Sequence, residues 1–447
     1  MEVDRPGSLP SDTPESPHLP QEIFDIIMDQ LHDEKTALAQ CTLVCRDWVP
    51  SSTKNLFSCL RFPPCVYLWD DIENWFQSSH ATCVTTGAKS YSDLLAVVLS
   101  STRIRAAVRE LKLSGQRYMP HDKGANSAVQ WLDYDDLSPQ ILCDLANAFP
   151  RLRSIALAYC DAPPAETFGS VDHVPKIEHL KLKVNFSGSF LHIPYFRSVG
   201  DLVIRSLYTE QNDLPIIPAE HRPQVTSLRL PSVSNGLPSV LSGIYHVLPR
   251  LLNAASVRAL TVCRPPSQEL DLFIRCFSNL ESLTLPLSRE HHYDLSVPPL
   301  LRSITMTTAI FFNGAGEDQW EDPLASLARG LHLFASQEQT LRELGVGILI
   351  ELNPHRHITA ADLGEYFLYQ LDWSPVTRAL ERYTRLKTLR VEVLVPEGDL
   401  PRVKEDTPQY VSAMRETAEK HLPLGQQCRL EVVAAGIDSG YFLKQFS

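Results

Sequence analysis

The chain lacks any apolar run of the roughly 20 residues that a membrane-spanning helix needs. Leu94 to Leu99 and Gly345 to Leu352 are far too short. Its first residues, Met1 to Pro17, are rich in Pro, Ser, Asp and Glu and have no apolar core of the kind a signal peptide carries. That composition predicts a disordered tail over 1–17. Without an export signal the ten cysteines are expected to be reduced thiols. The glycosylation sequon Asn185-Phe186-Ser187 then has no use, and the expected compartment is cytoplasmic or nuclear. Positive charge is scarce too. Against 53 acids stand 41 Lys and Arg, a formal net charge of -12. Such a balance argues against non-specific binding to nucleic acid or to an anionic membrane, so neither partner is expected.

Catalytic motifs are also missing. There is no phosphate-binding loop, no Gly-x-Gly-x-x-Gly, no Gly-x-Ser-x-Gly and no His-Glu-x-x-His. Cys41 and Cys45 lie about one helical turn apart with no second pair at zinc spacing, and both suit the apolar face of a helix. His291-His292 and His355-Arg356-His357 lack a second half and are expected in surface loops. The acidic segments Asp133-Tyr134-Asp135-Asp136 and Glu317 to Asp322 do not have the spacing of a calcium loop. The second runs into a predicted helix start, where negative charge is favourable. No cofactor, metal or catalytic residue is expected.

What is present is a repeat. Hydrophobic content of 44% and charge of 21% describe an ordinary folded protein, and 447 residues are too many for one compact core. An apolar-x-x-apolar-x-apolar pattern recurs at Val108-Leu111-Leu113, Leu152-Ile155-Leu157, Ile177-Leu180-Leu182, Val199-Leu202-Ile204 and Val225-Leu228-Leu230. It continues at Val257-Leu260-Val262, Leu280-Leu283-Leu285, Leu301-Ile304-Met306, Leu341-Leu344-Val346 and Leu386-Leu389-Val391, with a degenerate copy at Leu430-Val432. The last two apolar positions alternate with other residues, as in a strand with one buried face. Between copies, Ser138-Pro139, Asp322-Pro323, Ser374-Pro375 and Thr407-Pro408 each place a capping residue before a proline at a helix start. Another helical pattern runs from Leu237 to Leu251. Junctions recur as Phe149-Pro150-Arg151-Leu152, Phe277-Ser278-Asn279-Leu280 and Tyr383-Thr384-Arg385-Leu386. Helix then strand, repeated in one direction, predicts an α/β fold with a parallel sheet and crossover helices, laid out as an open solenoid.

The array loosely resembles leucine-rich repeats, whose length of about 20–29 residues fits the middle copies. The Asn or Cys of that family, three residues past the third apolar position, appears only at Cys160 and Asn185. The resemblance therefore implies irregular turns elsewhere.

Upstream, Ile23, Ile26, Ile27 and Leu31, then Leu38, Cys41, Cys45 and Trp48, have helical spacing. Two or three short helices bury little surface alone, which leaves apolar surface for a partner. Leu19-Pro20-Gln21-Glu22-Ile23 and Val44-Cys45-Arg46-Asp47-Trp48, closed by Leu56-Phe57, resemble the F-box; Phe57 stands where that family often has tryptophan. The segment Tyr91 to Gly115 is similar to the corresponding stretch of fungal F-box proteins. The resemblance implies a small N-terminal helical F-box followed by an irregular leucine-rich-repeat-like α/β solenoid. The implied division is a tail over 1–17, a helical module over 18–62, a helical connection over 63–107, a solenoid over 108–436 and a tail over 437–447.

By that resemblance the chain is a non-catalytic substrate receptor of an SCF-type cullin-RING ubiquitin ligase. Its partners are the SCF adaptor protein, through it a cullin, and a protein substrate. The alternative is an F-box scaffold or assembly factor outside any ligase. Leu19, Pro20, Ile23, Ile27, Leu38, Val44 and Trp48 are the expected adaptor contacts, some of them instead forming the module's own core. The substrate surface is expected on the sheet face carrying the residues between the apolar positions. Lys181, Lys183, Arg205 and Arg229 fall there on adjacent strands and are expected to receive an acidic or phosphorylated segment.

Overall fold

The structure, a computed structural model, describes residues 20–32, 34–62, 84–85, 90–114, 116–117, 132–133, 137–158, 160, 176–184, 192–206, 217–230, 238–262, 267–287, 295, 298–312, 323–352, 371–396, 407–422 and 428–437. Leu19, Asn185, the residues before Leu19 and after Ile437, both histidine-rich segments and the acidic segments, Asp133 excepted, lie outside the described residues.

Three helices come first: α1 (Gln21–Gln30), α2 (Lys35–Val44) and α3 (Val49–Leu56). Helices α4 (Tyr91–Ser100), α5 (Thr102–Ala107) and α6 (Pro139–Ala148) follow. Then come α7 (Pro238–Leu251), α8 (Gln268–Arg275), α9 (Pro323–Leu333), α10 (Ser374–Leu380) and α11 (Thr407–His421). The first strands are β1 (Cys59–Phe62), β2 (Val84–Thr85), β3 (Glu110–Ser114), β4 (Gln116–Arg117), β5 (Leu132–Asp133), β6 (Ser154–Ala158), β7 (Ile177–Val184) and β8 (Ser198–Ser206). The rest are β9 (Gln224–Leu230), β10 (Ala259–Val262), β11 (Ser282–Pro286), β12 (Ser303–Phe312), β13 (Glu343–Leu352), β14 (Thr388–Pro396) and β15 (Arg429–Ile437). Among the described residues these form one 13-stranded parallel sheet, ordered β15-β14-β13-β12-β11-β10-β9-β8-β7-β6-β3-β1-β2, with β4 and β5 as a separate antiparallel pair. From β6 onward each new strand is laid beside the one before it. That is the solenoid-like α/β order that the repeat predicts.

Register shows why the repeat works. The middle apolar residues form a single row across the sheet: Leu60, Leu111, Ile155, Leu180, Leu202, Leu228, Leu260, Leu283, Ile304, Leu344, Leu389 and Leu430. All but the last are fully buried, and they share one continuous core with Leu145, Leu248, Phe273, Leu327, Val376 and Met414 from the helices. Burying each such side chain contributes about 1.5–3 kcal/mol. The aromatic junctions serve the same core. Phe149, Phe277 and Tyr383 are buried, and their carbonyls accept from the amides of Leu152, Leu280 and Leu386 at 3.1, 3.2 and 3.1 Å. Those turns deliver each chain segment into its strand. The Tyr383 hydroxyl also donates to the Leu331 carbonyl at 2.6 Å, which clamps α9 to the next junction.

Helix starts follow capping chemistry. Ser90, Ser101, Ser138 and Ser267 accept from the amides of Asp93, Ile104, Ile141 and Leu270, each satisfying a donor that the helix leaves open and contributing about 1 kcal/mol. Ser374 departs from its expected role. Trp373 already has helical backbone angles, so the acceptor moves upstream, and Asp372 takes both the Ser374 amide at 3.0 Å and its hydroxyl at 2.6 Å.

The sheet begins earlier than the 108–436 span expected for the solenoid. Strand β1 lies inside the 18–62 segment and pairs with β3, placing Leu60 beside Leu111 and Phe62 beside Leu113. Phe57-x-x-Leu60-x-Phe62 has the repeat spacing; assigning Phe57 to the close of the helical module hid it. At the other end, Ile437 belongs to β15. Close approach also selects residues on the sheet. A Cβ at Gly347 would lie 2.8 Å from Thr307 Cγ2 and 2.9 Å from Leu394 Cδ1, so a larger residue there would force those side chains to shift.

Leu283→Ala should cost about 2–5 kcal/mol, with the loss concentrated in neighbouring strands because repeats contact mainly their neighbours. Amide hydrogen exchange across β10 to β12 should quicken well before that of β14 and β15. Uniform loss of protection throughout the sheet would contradict this.

Candidate functional surfaces

The first surface lies on the N-terminal helices. Their core is small: Met28, Leu38 and Cys41 are buried, with Leu31, Trp48 and Leu56 packed against them. The Phe24 and Trp48 rings sit 5.8 Å apart. Polar contacts pin α1 to α3, from Asn55 Nδ2 to Asp29 Oδ1 at 2.9 Å and from the Ser51 hydroxyl to the Asp25 carboxylate. The Ser51 hydrogen bond, then that from Gln21, holds the Asp25 carboxyl below its usual 3.8.

This packing splits the apolar set that sequence spacing placed on one face. Phe24, Met28 and Leu31 form the inward stripe of α1, whereas Ile23, Ile26 and Ile27 are exposed. Pro20 and Val44 are exposed as well. Leu38, an expected adaptor contact, is fully buried and cannot dock a partner. Trp48 is half-buried against the same core. Cys45, expected on the apolar helix face, lies outside it: α2 ends at Val44, Cys45 is extended, and its thiol is exposed. Leu43 was missed by sequence reasoning and is 84% exposed. The signal was its place off the Leu38–Cys41 stripe, at the end of a short helix.

The second surface is the sheet face opposite the helices. Register places Lys112, Ala156, Lys181, Val203, Arg229, Thr261, Thr284 and Thr305 in one row. Glu110, Ser154, His179, Asp201 and Ser227 form the row beside it. Lys183 pairs with Arg205 in register. Of the four expected bases, Lys181 and Arg229 therefore fall in one row.

That face is more balanced than the four bases alone suggest. Arg229 Nε donates to Asp201 Oδ1 at 3.0 Å, and its Nη2 to Oδ2. Ser227 Oγ donates to Oδ1 at 3.0 Å, and His179 Nδ1 lies 3.7 Å from Oδ2. Lys112 Nζ lies 3.8 Å from Glu110 Oε1, both largely buried. Burial alone would raise the Asp201 pKa, but the Arg229 hydrogen bond and charge, with Ser227 and His179, outweigh it and hold the carboxyl below 3.8. Burial pushes the Lys181 ammonium down, as do Lys112 and Arg229, against the opposing pull of Glu110 and Asp201. The missed members, Glu110 and Lys112, open the third strand's motif and were visible at intervening positions.

Because the folded pKa of Asp201 is depressed, its contribution is present above the unfolded value of about 3.9 and is lost as pH falls through the folded value. Arg229→Ala should move the Asp201 carboxyl upward from its native value in a carboxyl-carbon NMR titration, the Ser227 and His179 contributions remaining. An Asp201 pKa unchanged in that variant would refute the pairing.

Among the described residues no group of three or more His, Cys, Asp or Glu is placed to hold a metal ion, and no helix is long and apolar enough to cross a membrane. Compared with known proteins, the chain matches no family model and no curated sequence.

Proposed function

We propose that the chain is the substrate-recognition subunit of an SCF-type cullin-RING ubiquitin ligase, its N-terminal helices acting as an F-box and its sheet as the substrate receptor. The observation that carries this reading is the exposed apolar set Ile23, Ile26, Ile27, Leu43 and Val44, on a module too small to leave such surface in water without cost. Pro20 and the motif around Val44 to Trp48 support the same reading, with Leu38 and Trp48 now assigned to the module's interior. In this role the protein does no chemistry of its own. It raises the local concentration of substrate beside a ubiquitin-loaded enzyme, and it acts in the cytoplasm or nucleus.

The long sheet supports the second half of the reading, since a parallel array presents an extended surface whose side chains can vary without disturbing the buried row. Lys181, Lys183, Arg205 and Arg229 give its β7–β9 section basic character. Asp201 ties down Arg229 and orients its guanidinium, so the substrate segment suited to this section is acidic or phosphorylated but meets one fixed carboxylate as well.

The double variant Ile23→Asp and Ile27→Asp should lower affinity for the SCF adaptor by at least about tenfold, each lost apolar contact being worth about 1.5–3 kcal/mol if buried on binding. Neither residue is in the module's core, so circular dichroism and the melting temperature should stay as they are. A pull-down in which adaptor and cullin remain bound to a folded double variant rejects this placement.

A further inference from the structure

The joint between the N-terminal helices and the solenoid forms a cleft of about 860 Å³ that the adaptor and substrate surfaces do not use. Helix α3 packs on α5 there. The walls carry Arg46 from the α2–α3 turn, Lys54 from α3, Arg103 from α5 and Arg151 from the turn after α6. Val49, Pro50 and Ala106 supply apolar wall between them. Lys54 is shared with Asp29 at 3.6 Å. By contrast, Arg46, Arg103 and Arg151 are exposed, and among the described residues none makes a side-chain hydrogen bond or ion pair. Among the described residues the single carboxylate on the lining, Asp25, is already engaged by Ser51 and Gln21.

Four cations facing one occupied carboxylate stand out in a chain whose formal net charge is -12. Three like charges brought to one cleft from separate elements repel one another, a cost that an anion removes. The guanidinium fork grips phosphate oxygens two at a time. One carboxylate would occupy one fork, whereas a phosphate offers oxygens enough for several. The cleft's size is that of a small-ligand pocket.

We propose that this cleft is a binding site for a ligand carrying clustered phosphate groups, with Arg46, Arg103 and Arg151 as its principal contacts. The site is independent of the adaptor and substrate surfaces. Two sources share the chemistry: a free polyphosphate compound and a multiply phosphorylated peptide. The apolar wall suits the non-phosphate part of either.

Titration calorimetry of the full chain with inorganic tripolyphosphate, and separately with a short peptide carrying two adjacent phosphoserines, tests this. At least one probe should bind, and binding should weaken as salt is raised. The variant Arg46→Gln, Arg103→Gln, Arg151→Gln should bind at least about tenfold more weakly, the fold-change of one lost charge-assisted hydrogen bond. If its melting temperature falls, the milder pair Arg103→Gln and Arg151→Gln replaces it and should show the same direction. The tighter probe identifies the source. Ile23→Asp with Ile27→Asp should keep phosphate binding whatever it does to the adaptor, which separates this test from the previous one. The proposal is overturned if neither probe binds at millimolar concentration, if a folded arginine variant binds as the native chain does, or if a peptide with glutamates in place of phosphoserines binds equally well.

Discussion

The row of leucines and isoleucines running from Leu60 to Leu430 constrains the rest of the molecule. Each parallel strand between the edges β15 and β2 is hydrogen-bonded to both neighbours, so its register cannot change alone. A slip of one residue would turn its apolar positions away from the helices. The thirteen strands therefore hold one another in place. The crossovers between them are free to vary, from the seven-residue helix α10 to the fifteen-residue helix α11. Irregular repeat lengths and a regular sheet coexist for this reason.

The opposite face inherits whatever the buried row leaves. Toward β10–β13 it carries small residues, Ala259, Thr261, Thr284, Thr305 and Gly345, and neighbouring side chains lie close to Gly347. Toward β3–β9 it carries charge, arranged in opposite-signed pairs. Asp201 sits between His179 and Ser227 in one row and grips Arg229 in the next. A partly buried carboxylate is tolerable only when several groups favour its ionised form. Those same groups decide which of the bases remain open to a partner.

The N-terminal helices form a marginal unit whose three buried apolar residues, Met28, Leu38 and Cys41, cannot hold it alone. Its continuation into β1, which pairs with β3, and the packing of α3 on α5 lend it the solenoid's stability. The same joint brings arginines from the module and from the first repeats to one cleft. Docking surface, anchor and cleft thus arise from a single arrangement.

Sequence alone determined the α/β class, the parallel direction, the buried row and the recurrent aromatic turns at Phe149, Phe277 and Tyr383, because these depend on periodicity within a few residues of chain. It also located the apolar N-terminal helices and put Lys181 and Arg229 in one row, since alternation along a strand decides its sides. Tertiary structure alone decided which apolar residues of those helices turn inward. Met28 and Leu38 are buried in one cluster, while Ile23, Ile26 and Leu43, no less apolar, are left outside. It alone paired Arg229 with Asp201, residues 28 apart in the chain, and brought Arg46 to Arg103 and Arg151. Periodicity reports which side of its own element a residue occupies; what that side meets is set by the packing of elements distant in sequence.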